Sequence, residues 1–332
     1  MGLPFFRLAA AALVALWAGG CRSKEPIWVY TSLYEDAVRE MEPLLRQAVP
    51  GVEVKFYRGG SERLAETIRA ELETGLPKAD VLVTADPFLY TQLKAQGELL
   101  PYESPAARDV PAEFTDPEHA FTTCRILLMA LGYNPTRVEK ADLPGTWEDL
   151  ALPKWKGKIS MGDPNESGSA FTSVAFLSKA YGWGFFEKLR ANDLIAASGT
   201  NAVIRRIESG ERPVGILLFE DILRAQEQGV EVRPLCPTGG VLLIPGRLAI
   251  MKSTQNHKGA KRVYDWLLSD EAQGIIARKG SYSPFDRIPP PRNARPWKEL
   301  EASRIRLGPE ALAELSGATD DIKRRFDRLF GR

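Results

Sequence analysis

The most constraining feature of this sequence is a series of three strand–turn–helix units near its beginning. Apolar runs typical of buried strands cover residues 27–30, 52–57 and 80–84, and a helical pattern follows each of them. This alternation predicts an α/β lobe with a parallel sheet, because parallel neighbours need a crossover connection. Each helix begins just past the carboxyl end of a strand, which is the edge where open α/β sheets bind ligands.

Helix-start signals accompany two of these units. Ser32 and Glu35 have capping-box spacing, which predicts that the first helix begins at about residue 33. Asp86 followed by Pro87 is typical of an N-cap with proline at the first helical position. Capping is therefore the favoured interpretation of Ser32 and Asp86, with ligand contact as the alternative.

The rest of the chain continues the alternation and adds two polar loops. Strand patterns cover residues 124–133, 155–161 and 214–218, and the loops at 163–169 and 197–201 each lead into a helix. A final amphipathic helix is predicted at about 309–329. The length is sufficient for two lobes, each with its own core.

The first twenty residues have the pattern of a signal peptide. They carry one charge, Arg7, and an apolar run at 8–17 that is about half the ~20 residues of a membrane span. Small residues precede Cys21, and residues 16–21 resemble a bacterial lipobox, so we expect a lipid-anchored protein facing the periplasm or cell exterior. An ordinary signal peptide is the alternative, and it too implies export.

Charge and composition exclude several classes of function. The sequence has 44 basic and 43 acidic residues, and removal of Arg7 with the signal peptide leaves a net charge of zero, which argues against nucleic-acid binding. The two histidines, His119 and His257, lack metal-ligand spacing, so a structural zinc site is not expected. Cys124 and Cys236 either form a disulfide in an oxidising compartment or remain thiols.

The motifs of common enzyme sites are absent from the sequence. It contains no G-x-S-x-G elbow, no P-loop, no G-x-G-x-x-G and no H-E-x-x-H. A Ser-His-Asp triad would have to use His119 or His257, which makes an envelope hydrolase a remote alternative. We therefore expect a protein that is not an enzyme and that needs no cofactor.

Hydroxyl and glycine residues gather at the predicted helix N-termini, where exposed N–H groups attract anions. Each alone is an ordinary capping residue, but the two polar loops are richer than a cap requires. Arg58 could form a fork with a phosphate or carboxylate, Tyr34 could line the pocket, and Glu220 could accept from an amine or hydroxyl. The remaining candidates are Thr31, Ser32, Gly60, Ser61, Asp86, Ser167, Gly168, Ser169, Ser198, Gly199 and Thr200.

An ordered set of segments resembles the solute-binding lipoproteins of bacterial ABC importers, the family that includes binders of ferric iron, phosphorylated sugars and phosphonates. The matching segments are 29–32 (VYTS), 57–64 (YRGGSERL), 79–85 (ADVLVTA), 163–171 (DPNESGSAF), 210–216 (GERPVGI), 237–240 (PTGG) and 267–274 (LLSDEAQG). No single segment is diagnostic. The set covers nearly the whole mature chain, and its order makes the resemblance specific.

The resemblance implies a type II periplasmic-binding-protein fold. In that fold two α/β lobes, each a mainly parallel sheet flanked by helices, are joined by a two-segment hinge and close on a small solute. Residues 27–118 with 238–284 would form lobe 1, and 119–237 with 285–332 would form lobe 2, after a tether at 21–26. Cys124 and Cys236 would lie near the crossings. The resemblance also implies that the partners of this protein are the permease subunits of the importer, and that the protein itself is a monomer.

The resemblance also bears on the solute. Iron-binding members carry adjacent tyrosines where this sequence has Glu220 and Asp221, and the early metal-binding histidine of some members corresponds to about Tyr34. We therefore expect a small organophosphate or phosphonate-type anion. Ferric iron remains the alternative, with Glu220, Asp221 and Tyr34 as hard oxygen ligands.

Overall fold

The structure is a computed structural model that describes residues 25–197, 199–238, 241–301, 304–305 and 309–331. The predicted signal peptide, the lipidation site Cys21 and the candidate Ser198 lie outside the described residues. No helix within those described ranges is both long and apolar enough to cross a membrane.

Strands and helices alternate along the described chain, as the sequence pattern predicts. The strands are β1 (Ile27–Thr31), β2 (Val54–Arg58), β3 (Val81–Thr84), β4 (Thr122–Tyr133), β5 (Ile159–Gly162), β6 (Ile195–Ala197), β7 (Val214–Leu218), β8 (Arg233–Leu235) and β9 (Leu242–Ile250). The helices are α1 (Glu35–Ala48), α2 (Ser61–Glu73), α3 (Pro87–Ala95), α4 (Gly168–Tyr181), α5 (Trp183–Ala191), α6 (Thr200–Ser209), α7 (Phe219–Glu227), α8 (His257–Leu267), α9 (Asp270–Arg278), α10 (Trp297–Glu301), α11 (Pro309–Gly317) and α12 (Thr319–Phe330).

A single continuous sheet connects two parallel sets of strands. Its order is β2-β1-β3-β9-β4-β7-β5-β6, and β8 also pairs with β4. Within the sets, β1 is parallel to β2 and β3, and β5 is parallel to β6 and β7. We call the part built on β1–β3 lobe 1 and the part built on β5–β7 lobe 2.

The two lobes are joined through the long antiparallel strands β4 and β9. One end of β9 pairs with β3 of lobe 1, from Arg247 to Ile250, and β9 pairs with β4 from Leu242 to Leu248. The far end of β4, from Met129 to Tyr133, pairs with β7 of lobe 2. We call β4 and β9 the hinge strands, because each belongs to both lobes.

Both lobes bury large apolar side chains, and the apolar clusters continue across the boundary between the lobes. In lobe 2, Trp147, Phe171, Phe186 and Phe326 are at most 1% exposed and pack in one cluster. Lobe 1 buries Ile27, Met41 and Leu45 on one face of its sheet and Leu64 and Tyr90 on the other. Burial of such a side chain contributes roughly 1.5–3 kcal/mol, so each lobe has its own driving force for folding.

Two predicted helix boundaries were wrong. The first helix begins at Glu35 with Tyr34 as N-cap, so Glu35 is the first helical residue and the capping box with Ser32 does not form. The Ser32 hydroxyl accepts from Arg125. The final predicted helix is two helices, α11 and α12, which meet at Ala318. Gly317 at this junction is a poor helix former, so the first helix ends there.

Candidate functional site

Residues that follow the strand ends of the two lobes meet at the boundary between the lobes, which we call the cleft, and the lobes touch there at residues without bulky side chains. A Cβ added to Gly168 would lie 2.7 Å from the Cβ of Ser61, and one added to Gly60 would lie 3.4 Å from the Glu166 carbonyl oxygen. Gly60 and Ser61 begin α2 of lobe 1, and Gly168 begins α4 of lobe 2. Two helix N-termini with their free N–H groups are therefore adjacent.

A buried arginine on a hinge strand lies between the lobes. The Arg125 side chain is 2% exposed, its Nη2 donates to Ser32 Oγ at 3.0 Å, and its Nη1 lies 3.7 Å from Glu220 Oε1. Its Nε has no hydrogen-bond partner among the residues that the structure describes. Gly246 on β9 leaves room for it, since a Cβ there would lie 2.6 Å from Arg125 Cγ. A buried guanidinium with an open donor is costly unless something accepts from it.

Sequence reasoning did not identify Arg125. The one signal was a single charged residue inside the long apolar run that forms β4, Thr122–Tyr133. A charge in a strand buried on both faces needs a partner, and a lone arginine there indicates a tertiary ion pair or a ligand. Arg247 on β9 is a second residue of this kind: its Nε also lacks a partner within the described ranges, and its guanidinium lies 4.2 Å from the Phe121 ring centroid.

The acidic pair Glu220 and Asp221 lies at the start of α7 and is buried. Asp221 Oδ1 accepts from the Tyr34 hydroxyl of lobe 1, and its Oδ2 accepts from Thr200 Oγ1 at 3.2 Å. Burial and the neighbouring Glu220 charge raise the pKa of Asp221 to about 7. Burial and Asp221 raise the pKa of the Tyr34 phenol well above its usual value, so this hydroxyl stays protonated and donates.

Glu220 is occupied by protein contacts. Besides its ion pair with Arg125, it accepts a hydrogen bond from Ser281 Oγ, and it is 3% exposed. Its proposed contact with an amine or hydroxyl of the ligand would have to form beside these two partners, at a carboxylate that is already buried. A second ion pair between the lobes lies beside it, where Arg224 is 2.6 Å from Asp36 and covers the Tyr34 ring at 4.2 Å.

The hydroxyl candidates mostly serve as caps in this structure. Asp86 accepts from the N–H groups of Phe88 at 2.9 Å and Leu89 at 3.3 Å, so the predicted N-cap is confirmed. Ser167 caps α4 through the Ala170 N–H at 3.3 Å, and Ser169 Oγ lies 3.1 Å from Ser167 Oγ. Their contact with an anion stays a prediction.

Three further candidates also have local roles. Ser61 Oγ accepts from the Ala85 N–H at 3.1 Å, Thr31 Oγ1 accepts from the Leu33 N–H at 3.0 Å, and Gly199 is the N-cap of α6 with φ of +60°. The left-handed φ explains the glycine at that position. Gly199 and Thr200 thus place the start of α6 beside Asp221.

Arg58 lies apart from these residues. It ends the edge strand β2, its side chain is 45% exposed, and its carboxylate partner is Glu35 at 3.9 Å. An exposed pair at this distance contributes little to stability. The structure thus offers Arg125 as the buried cation of the cleft, where sequence reasoning chose Arg58.

The described residues contain two free thiols, Cys124 and Cys236, which are not bonded to each other. Cys124 is buried in β4, and burial raises the pKa of its thiol to about 12. Within the described ranges no group of three or more His, Cys, Asp and Glu side chains is arranged to hold a metal ion. A groove of about 840 Å³ lies outside the cleft, between α7, α9 and residues 288–293.

Comparison with known proteins places the chain in a family. The sequence model of the family described as bacterial extracellular solute-binding protein matches residues 76–302, and the chain belongs to this family. The fold agrees: iron-bound HitA from Pseudomonas aeruginosa superposes with a TM-score of 0.80, 21% identity and coverage of 91% of this chain and 99% of that one. The predicted fold class is thereby confirmed.

Two further proteins are similar in sequence. A Salmonella paratyphi A protein named "Putative 2-aminoethylphosphonate-binding periplasmic protein" is 27% identical over 237 residues, or 68% of each chain. AfuA from Actinobacillus pleuropneumoniae, solved with fructose-6-phosphate bound, is 26% identical with a TM-score of 0.76, covering 92% of this chain and 96% of that one.

Proposed function

We propose that this protein is the solute-binding component of an ABC importer and that it binds a small phosphorylated or phosphonate-type organic anion between its lobes. It performs no reaction on that solute, and it delivers the solute to the permease subunits of the importer. Arg125 carries this proposal, because a buried guanidinium with a free Nε lies between the two lobes.

The surroundings of Arg125 support an anion. Helices α2 and α4 begin beside each other at Ser61 and Gly168, and α6 begins at Thr200 beside Asp221, the neighbour of the Glu220 that pairs with Arg125. Each of these helix starts offers backbone N–H groups and a positive helix end to an anion between the lobes. A phosphate or phosphonate group has three oxygens that accept such donors. The two relatives named for 2-aminoethylphosphonate and solved with fructose-6-phosphate support the same class of solute.

Ferric iron is the second candidate, favoured by one observation. The Tyr34 hydroxyl and the Asp221 carboxylate meet across the cleft, and both are hard oxygen ligands. Iron would have to displace the Tyr34 proton, whose pKa is raised well above its usual value by burial and by Asp221. The buried Arg125 beside Glu220 adds a positive charge that opposes a trivalent cation. The anion is therefore the better fit.

Export and anchoring are part of the proposal. Acylation of Cys21 after removal of residues 1–20 would hold the protein at the membrane, where the permease lies. One acyl chain binds membranes only marginally, so stable anchoring implies several. Replacement Cys21→Ser should release the protein from detergent into the aqueous phase. Equal partitioning of the two forms would contradict the anchor.

Calorimetry of the Arg125→Lys variant tests the solute class. The panel is 2-aminoethylphosphonate, fructose 6-phosphate, inorganic phosphate and ferric citrate, preceded by native mass spectrometry to detect a co-purified solute. Lysine keeps the charge beside Glu220 but lacks Nε and the planar fork. Loss of hydrogen bonds to a charged group should weaken binding of the phosphorylated solute roughly ten- to a hundred-fold.

Arg58→Lys is the matched control, because Arg58 is 45% exposed and lies on the edge strand β2. It should leave the affinity unchanged. Tight ferric binding without response to any phosphorylated solute would establish the iron alternative. Equal affinities of wild type and Arg125→Lys would remove Arg125 from the site.

A further inference from the structure

Two of the three nitrogens of the Arg125 guanidinium contact different parts of the molecule. Its Nη2 is bound by Ser32 of lobe 1 at 3.0 Å, and its Nη1 faces Glu220 of lobe 2 at 3.7 Å. The Nε is then the nitrogen left without a partner among the described residues. Because the guanidinium is planar and rigid, the hydrogen bond to Ser32 and the ion pair with Glu220 together restrict the direction of the free Nε–H.

Glu220 is in turn fixed by the turn that follows α9. Ser281 Oγ donates to Glu220 Oε2, the oxygen that does not face Arg125. The preceding residue, Gly280, packs on the same side chain: a Cβ added there would lie 2.9 Å from both Cα and Cβ of Glu220, and its φ of +97° also favours glycine. Glu220 is 3% exposed and Ser281 is 3% exposed, so solvent does not compete for these contacts.

We infer that Ser281 and Glu220 are positioning residues, which orient Arg125 so that its Nε–H points at the solute anion. This inference rests on the proposed function. Glu220 does not itself touch the solute in this arrangement. It holds the guanidinium from lobe 2 while Ser32 holds it from lobe 1. The free donor is therefore correctly aimed only when Gly280 and Ser281 keep Glu220 in place.

The turn supplies a matched control. Ser283 lies two residues further on and is also 3% exposed, but its hydroxyl donates to Gln273 Oε1 at 2.6 Å and, among the described residues, makes no hydrogen bond to Glu220 or Arg125. Ser281→Ala and Ser283→Ala therefore remove the same group at the same burial. If Ser281→Ala weakens anion binding more than Ser283→Ala does, the additional loss comes from the connection of Ser281 to Arg125. A difference between the two variants in the free energy of unfolding would not show this.

The binding experiment is a double-mutant cycle with 2-aminoethylphosphonate and fructose 6-phosphate as probes. Ser281→Ala should weaken binding about five-fold, the equivalent of one ordinary hydrogen bond. Ser281→Thr should restore most of the loss, and Ser283→Ala should leave affinity unchanged. In the Arg125→Lys background Ser281→Ala should have no further effect, because Ser281 acts through Arg125. Equal effects of Ser281→Ala in both backgrounds would overturn the inference.

A measurement without any solute makes the test independent of the proposed function. With arginine labelled at ¹⁵Nε, the Arg125 resonance is assigned by its absence in Arg125→Lys. It should be narrow in wild type and Ser283→Ala, and broadened in Ser281→Ala, because the guanidinium then reorients. An unchanged Arg125 line in Ser281→Ala would refute the positioning role. If instead the line broadens but no phosphorylated solute binds, the proposed function fails while the positioning of Arg125 stands.

Discussion

The two sides of the cleft are built from different interactions. We call the charged side the set Ser32, Tyr34, Arg125, Glu220 and Asp221, and the hydroxyl side the set Ser61, Asp86 and Ser167–Ser169. On the charged side, side chains bind other side chains across the lobes. On the hydroxyl side, side chains bind the backbone N–H groups of their own helix starts or of the neighbouring strand end.

Because of this difference, the geometry of the two sides depends on different parts of the molecule. Buried charges are costly to separate, so the charged side has a defined arrangement only when both lobes supply their parts. Capped helix starts keep their geometry within one lobe, because the cap and the N–H groups belong to one segment. We therefore expect the charged side to respond to lobe closure, and to pH through Asp221, and the Ser167 cap on the hydroxyl side to respond to neither.

The largest expected effect lies on the charged side and concerns Asp221. Its pKa is raised from 3.8 to about 7, first by burial and then by the Glu220 charge. Between these two values the folded protein keeps a proton that the unfolded chain has released. The free energy of unfolding should therefore fall as pH rises through this window, by up to about 1.4 kcal/mol per pH unit.

Asp221→Asn removes this titration while keeping an oxygen that accepts from Tyr34. Urea unfolding at several pH values between 4 and 7 measures the slope for both proteins. Other groups titrate as well, so the quantity that matters is the wild-type slope minus the variant slope. Equal slopes for the two proteins would show that Asp221 is already ionised across pH 4 to 7. The stability of the charged side would then not depend on pH through Asp221. The charges facing Asp221 are those of Glu220 and Arg224.

Particular residues show how far sequence reasoning could reach. The cap at Asp86 was predicted, because its partners are two and three residues away. Arg125 was missed, because Ser32 is 93 residues away and only the folded hinge brings the two together. The same holds for Tyr34 and Asp221, which are 187 residues apart. Caps are local and carry a spacing signal, whereas contacts between lobes depend on topology.

The capping box at Ser32 was wrong for a related reason. The spacing to Glu35 fits the motif, but the helix begins at Glu35 itself, and the Ser32 hydroxyl accepts from Arg125, a partner on the hinge strand β4 that local spacing does not reveal. The α/β fold was predicted from periodicity and the resemblance, which depend on many residues at once. The contacts of a single side chain at the cleft leave no such repeated pattern in the sequence, so only the structure identifies its partners.

The smallest expected effect lies on the hydroxyl side, at the start of α4. Ser167 Oγ accepts from the Ala170 N–H, so Ser167→Ala should lower the free energy of unfolding by about 1 kcal/mol. Ser169→Ala is the control: its hydroxyl contacts Ser167 Oγ and does not cap the helix, so its cost should stay within about 0.5 kcal/mol. Neither loss should change between pH 4 and 7, because no titrating group takes part in the cap. A pH-dependent loss in Ser167→Ala, measured in the same urea series as Asp221→Asn, would show that the two sides of the cleft are coupled and that the division drawn between them does not hold.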